Sequence, residues 1–294
     1  MKGLGLLPLL LLVAGTFASA DEGEPPLAVW VSVPPQAEIV ARVGGDRVTV
    51  EVLVEPGRSP ETYAPTSRRL AELSGADLYV RTGLPFERTL VGKLASLAPG
   101  LHFVDAREGL ELMPMHPDHG RHGGADEDHH HEESDPHVWL DPQLVARQAA
   151  TIAATLCLLD PRRCELFTAN SEDYSRELGE LDRRLGALLA PYHDRSILVF
   201  HPAYGYFARR YRLRQLSVEV GGKEPTPRQL AALVETARAE GLGTLFVQPQ
   251  LAGRSADAAA RALGAEVVEL DPLAPDLAAN LERMARRVAA ALGD

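Results

Sequence analysis

Seven of the ten histidines fall between Met113 and Pro142, in the stretch MPMHPDHGRHGGADEDHHHEESDPHVWLDP. Imidazole nitrogens and carboxylate oxygens at this density are donors for a divalent cation of the zinc type. The stretch has two parts. His116, His119, His122, His129, His130 and His131 lie in a low-complexity run of His, Asp, Glu and Gly. That run has nothing to bury, which predicts a mobile tract offering several weak auxiliary metal positions. His137 belongs instead to SDPHVWLDP, where two X-Pro steps and the Val-Trp-Leu run predict return to a packed body, with the imidazole held. Three more candidates lie far away in the chain. His201 directly follows ILVF, Asp271 directly follows EVVEL, and Glu61 sits in EPGRSPETYAPT, the loop after VTVEVLV. Taken singly, these are ordinary: a turn histidine, a residue capping a Pro-containing turn, a solvated carboxylate. Taken together, Glu61, His137, His201 and Asp271 are two imidazoles and two carboxylates, a donor set for one four-coordinate divalent ion. His102 reads as a strand or surface residue and His193 as a surface residue.

The elements that must position these side chains alternate between β and α. LAVWVSV and VTVEVLV read as strands, as do Asp77–Val80 and His102–Val104. Helices are predicted from Pro34 to the Gly44-Gly45 pair, from Thr66, and over Phe86–Leu97. Beyond the His-rich stretch, Pro142–Leu158 reads as a helix. Asp160-Pro161 reads as an N-cap followed by proline at the first helical position. Tyr174, Leu178, Leu181, Leu185 and Leu188 then mark one face of a helix running to Pro191, a spine of roughly 45 Å. The alternation resumes with strands at Ile197–Phe200, Leu216–Val220, Thr244–Val247 and Glu266–Leu270. Helices are predicted near Ala203–Tyr211, Pro227–Glu240, Arg254–Leu263 and Pro275–Leu292. The reading is an α/β protein of two lobes, each a mostly parallel sheet with flanking helices, joined by a long rigid helix. Its divisions are a signal peptide over 1–20, an N-terminal lobe over 21–160 with the His-rich loop at 113–135, a linking helix over 161–190 and a C-terminal lobe over 191–294. Ligands of such sheets bind beyond the carboxyl ends of the strands, and all four candidates follow a strand in the chain.

Composition limits the function. With 30 Lys and Arg against 41 Asp and Glu, the net charge is −11, which argues against nucleic acid and suits a protein that handles cations. Lys2, the apolar run from Leu4 to Val13 and Ala18-Ser19-Ala20 form a secretory signal peptide, which predicts a soluble periplasmic protein. An exported protein can keep a disulfide, and Cys157 and Cys164 are the two cysteines available. The chain has neither H-E-x-x-H nor a similar compact hydrolase cluster. An enzyme is therefore not expected, although a periplasmic metallohydrolase with Glu61 as general base is the alternative from another class.

The mature chain resembles the metal-binding receptors of ABC importers, the zinc- and manganese-specific solute-binding proteins. The resemblance is carried by EPGRSPETYAPT, SDPHVWLDP, LDPRRCELFTANSEDYSREL, FHPAYGYFARRY, GGKEPTPRQL, LFVQPQ and ELDPL. It implies two α/β lobes joined by a rigid helix, one metal between the lobes, and delivery to a membrane permease by a monomeric receptor. It assigns the second, third and fourth metal ligands to His137, His201 and Asp271. The first is usually a histidine in Pro-His-x-Tyr; here Pro60-Glu61-Thr62-Tyr63 puts a glutamate there. Two carboxylates make a harder set that favours Mn²⁺ or Fe²⁺, whereas Zn²⁺ binds more strongly at most such sites and suits the imidazole-rich loop. Zn²⁺ is the expected metal and Mn²⁺ the alternative. Binding displaces protons from imidazolium, so affinity is expected to weaken below about pH 6.

Overall fold

The computed structural model describes residues 24–115, 134–220 and 222–293. The signal-peptide reading, and the six auxiliary histidines from His116 to His131, fall outside the described residues. The first half opens with β1 (Leu27–Val31), α1 (Pro34–Gly44), β2 (Val48–Val52), α2 (Ser67–Ser74), β3 (Leu78–Arg81), α3 (Pro85–Leu97) and β4 (His102–Asp105). Its four strands are parallel, in the order β2-β1-β3-β4. After α4 (Pro142–Leu159) and α5 (Cys164–Leu189) come β5 (Ser196–Val199), α6 (Gly205–Arg210), β6 (Arg214–Ser217), α7 (Pro227–Ala239), β7 (Thr244–Val247), α8 (Arg254–Leu263), β8 (Glu266–Glu269) and α9 (Leu277–Gly293). These strands form a second parallel sheet in the order β6-β5-β7-β8, repeating the topology of the first. The two-lobed α/β architecture with a long helix between the sheets is the one expected.

Local chemistry accounts for the helix starts. Asp141 accepts the Gln143 amide at 2.8 Å and Pro142 takes the first helical position, so α4 begins where an Asp-Pro pair says it should. Thr226 and Gln229 form a reciprocal capping box at the head of α7. The same Asp-Pro signal at 160–161 works differently. Pro161–Arg163 form a single 3-10 turn and α5 starts at Cys164. The Asp160 carboxylate binds the Arg163 guanidinium at 2.7 Å instead of capping an amide. A Cys157–Cys164 disulfide holds the tail of α4 to the head of α5.

The 26 residues of α5 make a rod of about 39 Å. Phe167, Tyr174, Leu178, Leu181, Leu185 and Leu189 are buried along it. Leu189 rather than Leu188 ends the stripe, since Leu188 is 37% exposed. Each such burial stabilises the fold by about 1.5–3 kcal/mol. One apolar core runs through both halves, from Val29 and Val31 on β1, through α4 and α5, to Ile197, Val199 and the Leu281–Leu292 face of α9. On α5, Asp182 accepts from Arg210 and Tyr211 of the second half and from Gln143 of α4, so polar contacts also cross between the halves.

Candidate metal site

Strand register builds one side of the site. His201 lies two residues past the end of β5. Ser217 of β6 pairs with Val199 of β5. The parallel pairing continues past both strands, with the Val218 amide on Val199 O at 2.9 Å and the Glu219 amide on Phe200 O at 3.0 Å. Glu219 thus comes level with His201, and its Oε2 meets His201 Nδ1 at 2.6 Å. The other ring nitrogen, Nε2, is buried and has no hydrogen-bond partner among the described residues; Glu61 Oε1 lies 3.5 Å from it.

His137 precedes a single 3-10 turn, Val138–Leu140, and is 2% exposed, held as expected. Asp135 Oδ1 accepts from the His137 amide at 2.9 Å and meets Nδ1 at 2.7 Å. Trp139 Nε1 donates to Pro272 O at 2.8 Å, tying this segment to the second half. Glu61 sits on the 3-10 turn Pro60–Thr62, about one third exposed, and its Oε2 accepts from Ser59 Oγ at 2.7 Å. Its Oε1 lies 4.0 Å from His137 Nε2. The structure therefore brings Glu61, His137 and His201 together, one donor atom of each within 4.8 Å of the others. Donor atoms on a tetrahedral zinc ion stand about 3.3 Å apart, given bonds of about 2.0–2.1 Å, so the trio needs only a modest contraction to share an ion.

Asp271 is not in that trio. Its Oδ1 accepts from the Leu273 amide at 2.9 Å and from Gln250 Nε2 at 3.0 Å. The strand order gives the reason for its separation: β7 lies between β5, which delivers His201, and β8, which delivers Asp271. Two strand spacings are about 9.5 Å. One pattern nevertheless covers all four candidates. Each has one polar atom held by a neighbour: His137 by Asp135, His201 by Glu219, Glu61 by Ser59, Asp271 by Gln250. In the trio the other donor atoms, His137 Nε2, His201 Nε2 and Glu61 Oε1, face one another. Orienting partners of this kind set the tautomer of a ligating imidazole and raise its basicity. His102 and His193 are exposed, as read from the sequence.

The electrostatics favour a cation. Burial acts to raise the Glu61 carboxyl, but His201 and His137 outweigh it and bring Glu61 down to about 2. Burial acts to lower His201, but Glu219 and Glu61 outweigh it and raise His201 to about 9. Three carboxylates, Glu61, Asp135 and Glu219, thus surround two imidazoles, an excess of negative charge suited to a divalent ion. Sequence reasoning missed Asp135, Glu219, Ser59 and Gln250. Asp135 and Glu219 had signals. One precedes His137 by two residues, and the other is a lone acid inside the apolar run LSVEV.

Two parallel α/β lobes with a long helix between them, and a His–His–Glu cluster drawing on both, define a solute-binding protein with a metal-type site. The model of the zinc-uptake complex component A, periplasmic (ZnuA) family matches residues 29–293, and the chain belongs to that family. Among its relatives, the high-affinity zinc uptake system protein ZnuA of Bacillus subtilis (strain 168) is 28% identical over 274 residues, 88% of this chain and 82% of the relative. A crystal structure of ZnuA superimposes with a TM-score of 0.82 at 38% identity, covering 91% of this chain and 99% of the other. A ZnuA deletion mutant solved with zinc bound gives a TM-score of 0.81 at 39% identity, covering 90% and 98%. The family is described as a periplasmic component of a zinc-uptake complex. Among the described residues no helix is long and apolar enough to cross a membrane.

Proposed function

We propose that this protein captures Zn²⁺ in a cleft between its lobes and hands it to the membrane permease of an ABC importer. The ligands are Glu61, His137 and His201, which lie within reach of one another, and Asp271, which has to move in from beyond β7 to complete the set. The observation that carries this reading is that two imidazole Nε2 atoms face one Glu61 oxygen while both Nδ1 atoms are held by carboxylates. No catalytic residue is assigned. The chain is read as a secreted monomer cut after Ala20, divided into a lobe over 21–160, a linking helix over 161–190 and a lobe over 191–294. His116, His119, His122, His129, His130 and His131 serve as a low-affinity collector. The test is metal analysis and chelator competition on the purified mature protein. One tight Zn²⁺ per chain is expected, with extra weak equivalents that vanish when His116 to His131 are deleted. Loss of the tight equivalent on that deletion, or its retention in His137→Ala, counts against the assignment. Delivery is tested by growth on chelator-treated medium with and without the gene.

A second reading, Mn²⁺ or Fe²⁺, is favoured by one feature: an oxygen donor, Glu61, where the family resemblance leads one to expect imidazole. Competition between Zn²⁺ and Mn²⁺ for the tight site decides between them. Hydrolysis of generic esters or phosphates by the zinc-loaded protein would instead revive the metallohydrolase alternative.

A further inference from the structure

The geometry points to Tyr206 as a positioning residue that ties the two chain ends flanking residues 116–133 to α6 and, through Asp135, fixes His137. This rests on the reading of His137 as a ligand. Met115 and Ser134 flank residues 116–133. The flanking segments are joined by one isolated antiparallel bridge, Pro114 to Ser134, which includes the Asp135 amide on Met113 O at 2.8 Å. Proline has no N–H to add to such a bridge, and an isolated pair of short strands is marginal in water. From Ser134 to His137 is only three residues, about 10 Å of extended chain. How residues 134–136 are anchored therefore bears directly on a ligand.

Tyr206 supplies the missing anchor. It comes from α6 in the other half of the molecule and is fully buried. Its hydroxyl accepts from the Met113 amide at 2.9 Å and donates to Asp135 O at 3.1 Å. One oxygen thus ties both ends of the insertion to a helix outside it. The residue it holds, Asp135, is also the residue whose carboxylate fixes the His137 ring. Gly205, one position earlier, packs so closely that a β-carbon there would stand 3.0 Å from Asp135 Oδ2.

The experiment is a cycle of variants. Tyr206→Phe removes the hydroxyl in the full chain and in a chain lacking His116 to His131. In the shortened chain Met115, Glu132 and Glu133 span Pro114 to Ser134, a three-residue hairpin connection. Zn²⁺ affinity is read by chelator competition, the His137 ring by ¹⁵N chemical shifts, and the fold by thermal unfolding. Tyr206→Phe is expected to weaken tight binding about tenfold in the full chain, the low end of the range for orienting partners, and about twofold or less in the shortened chain. The His137 shifts are expected to move only in the full chain. Equal losses in both chains would reduce Tyr206 to ordinary structural support, and no loss in either would end the proposal. Gly205→Ala presses on Asp135 without touching the hydroxyl, and is expected to weaken binding in both chains alike. Unchanged affinity in that variant would show that the placement of Asp135 does not matter to His137. His137→Ala is the separate control: if it keeps tight Zn²⁺, the metal-site reading fails independently of Tyr206.

Discussion

His201 leaves its sheet two residues past β5 and meets Glu219 two residues past β6, on adjacent strands whose ladder fixes both. Glu61 stands nine residues past the end of β2, on one 3-10 turn of a proline-rich loop, one third exposed, with a serine as its holder. On the proposed reading the first half thus offers Glu61 on an exposed, adjustable arm beside the fixed His137, and the second offers His201 on a rigid mount. The rigid mount then governs whether a metal binds, and the arm closes the last ångström and tunes which metal is preferred. The buried core shared by both halves supports this division, since a continuous core resists large lobe movement.

That contrast can be broken or sharpened in order of effect. His201→Ala is expected to weaken Zn²⁺ binding by more than about a hundredfold, beyond the range for orienting partners. If Glu61→Ala costs more than His201→Ala in the same chelator competition, the contrast is inverted. Acid is next. His201 holds its proton up to about pH 9, and Glu61 stays ionised down to about pH 2. A metal at His201 Nε2 must displace that proton. Affinity should therefore fall about tenfold per unit as pH drops below 9, roughly a hundredfold from pH 8 to pH 6. The window lies higher than the sequence reading of about pH 6, because two carboxylates stabilise the His201 imidazolium. A flat profile between pH 6 and 8 would contradict it.

Glu219→Gln keeps an acceptor oxygen and removes the charge; a loss of about ten- to a hundredfold is expected, with Asp135→Asn in the same range. Glu61→Gln should cost about tenfold, less than either if the arm adapts. Glu61→His should retain Zn²⁺ and weaken Mn²⁺ relative to it, since imidazole is the softer donor. Unchanged metal preference in that variant would remove the tuning role. Ser59→Ala is the smallest. One exposed hydrogen bond to a carboxylate is worth about 1 kcal/mol or less, a few-fold in affinity by titration. A loss matching Glu219→Gln would show that both donors are equally mounted.

The sequence alone determined much of this. Alternating apolar strands and 3.6-period helices placed eight strands and a long spine, with differences of only a few residues at their ends. His201, which meets Glu61 in the structure, was legible from its place just past a strand end; Asp271, picked out by the same rule, does not join that cluster. His137 was legible from the composition change between the His-rich run and SDPHVWLDP. Tertiary structure alone decided the neighbours. Glu219 stands beside His201 because β6 lies against β5, and Asp271 stands apart because β7 intervenes. Tyr206 reaches Asp135 across 71 positions of chain. Periodicity records which face of an element is buried. The lateral order of strands and the meeting of two lobes arise from crossovers and packing between distant segments, and no local pattern of residues carries that information.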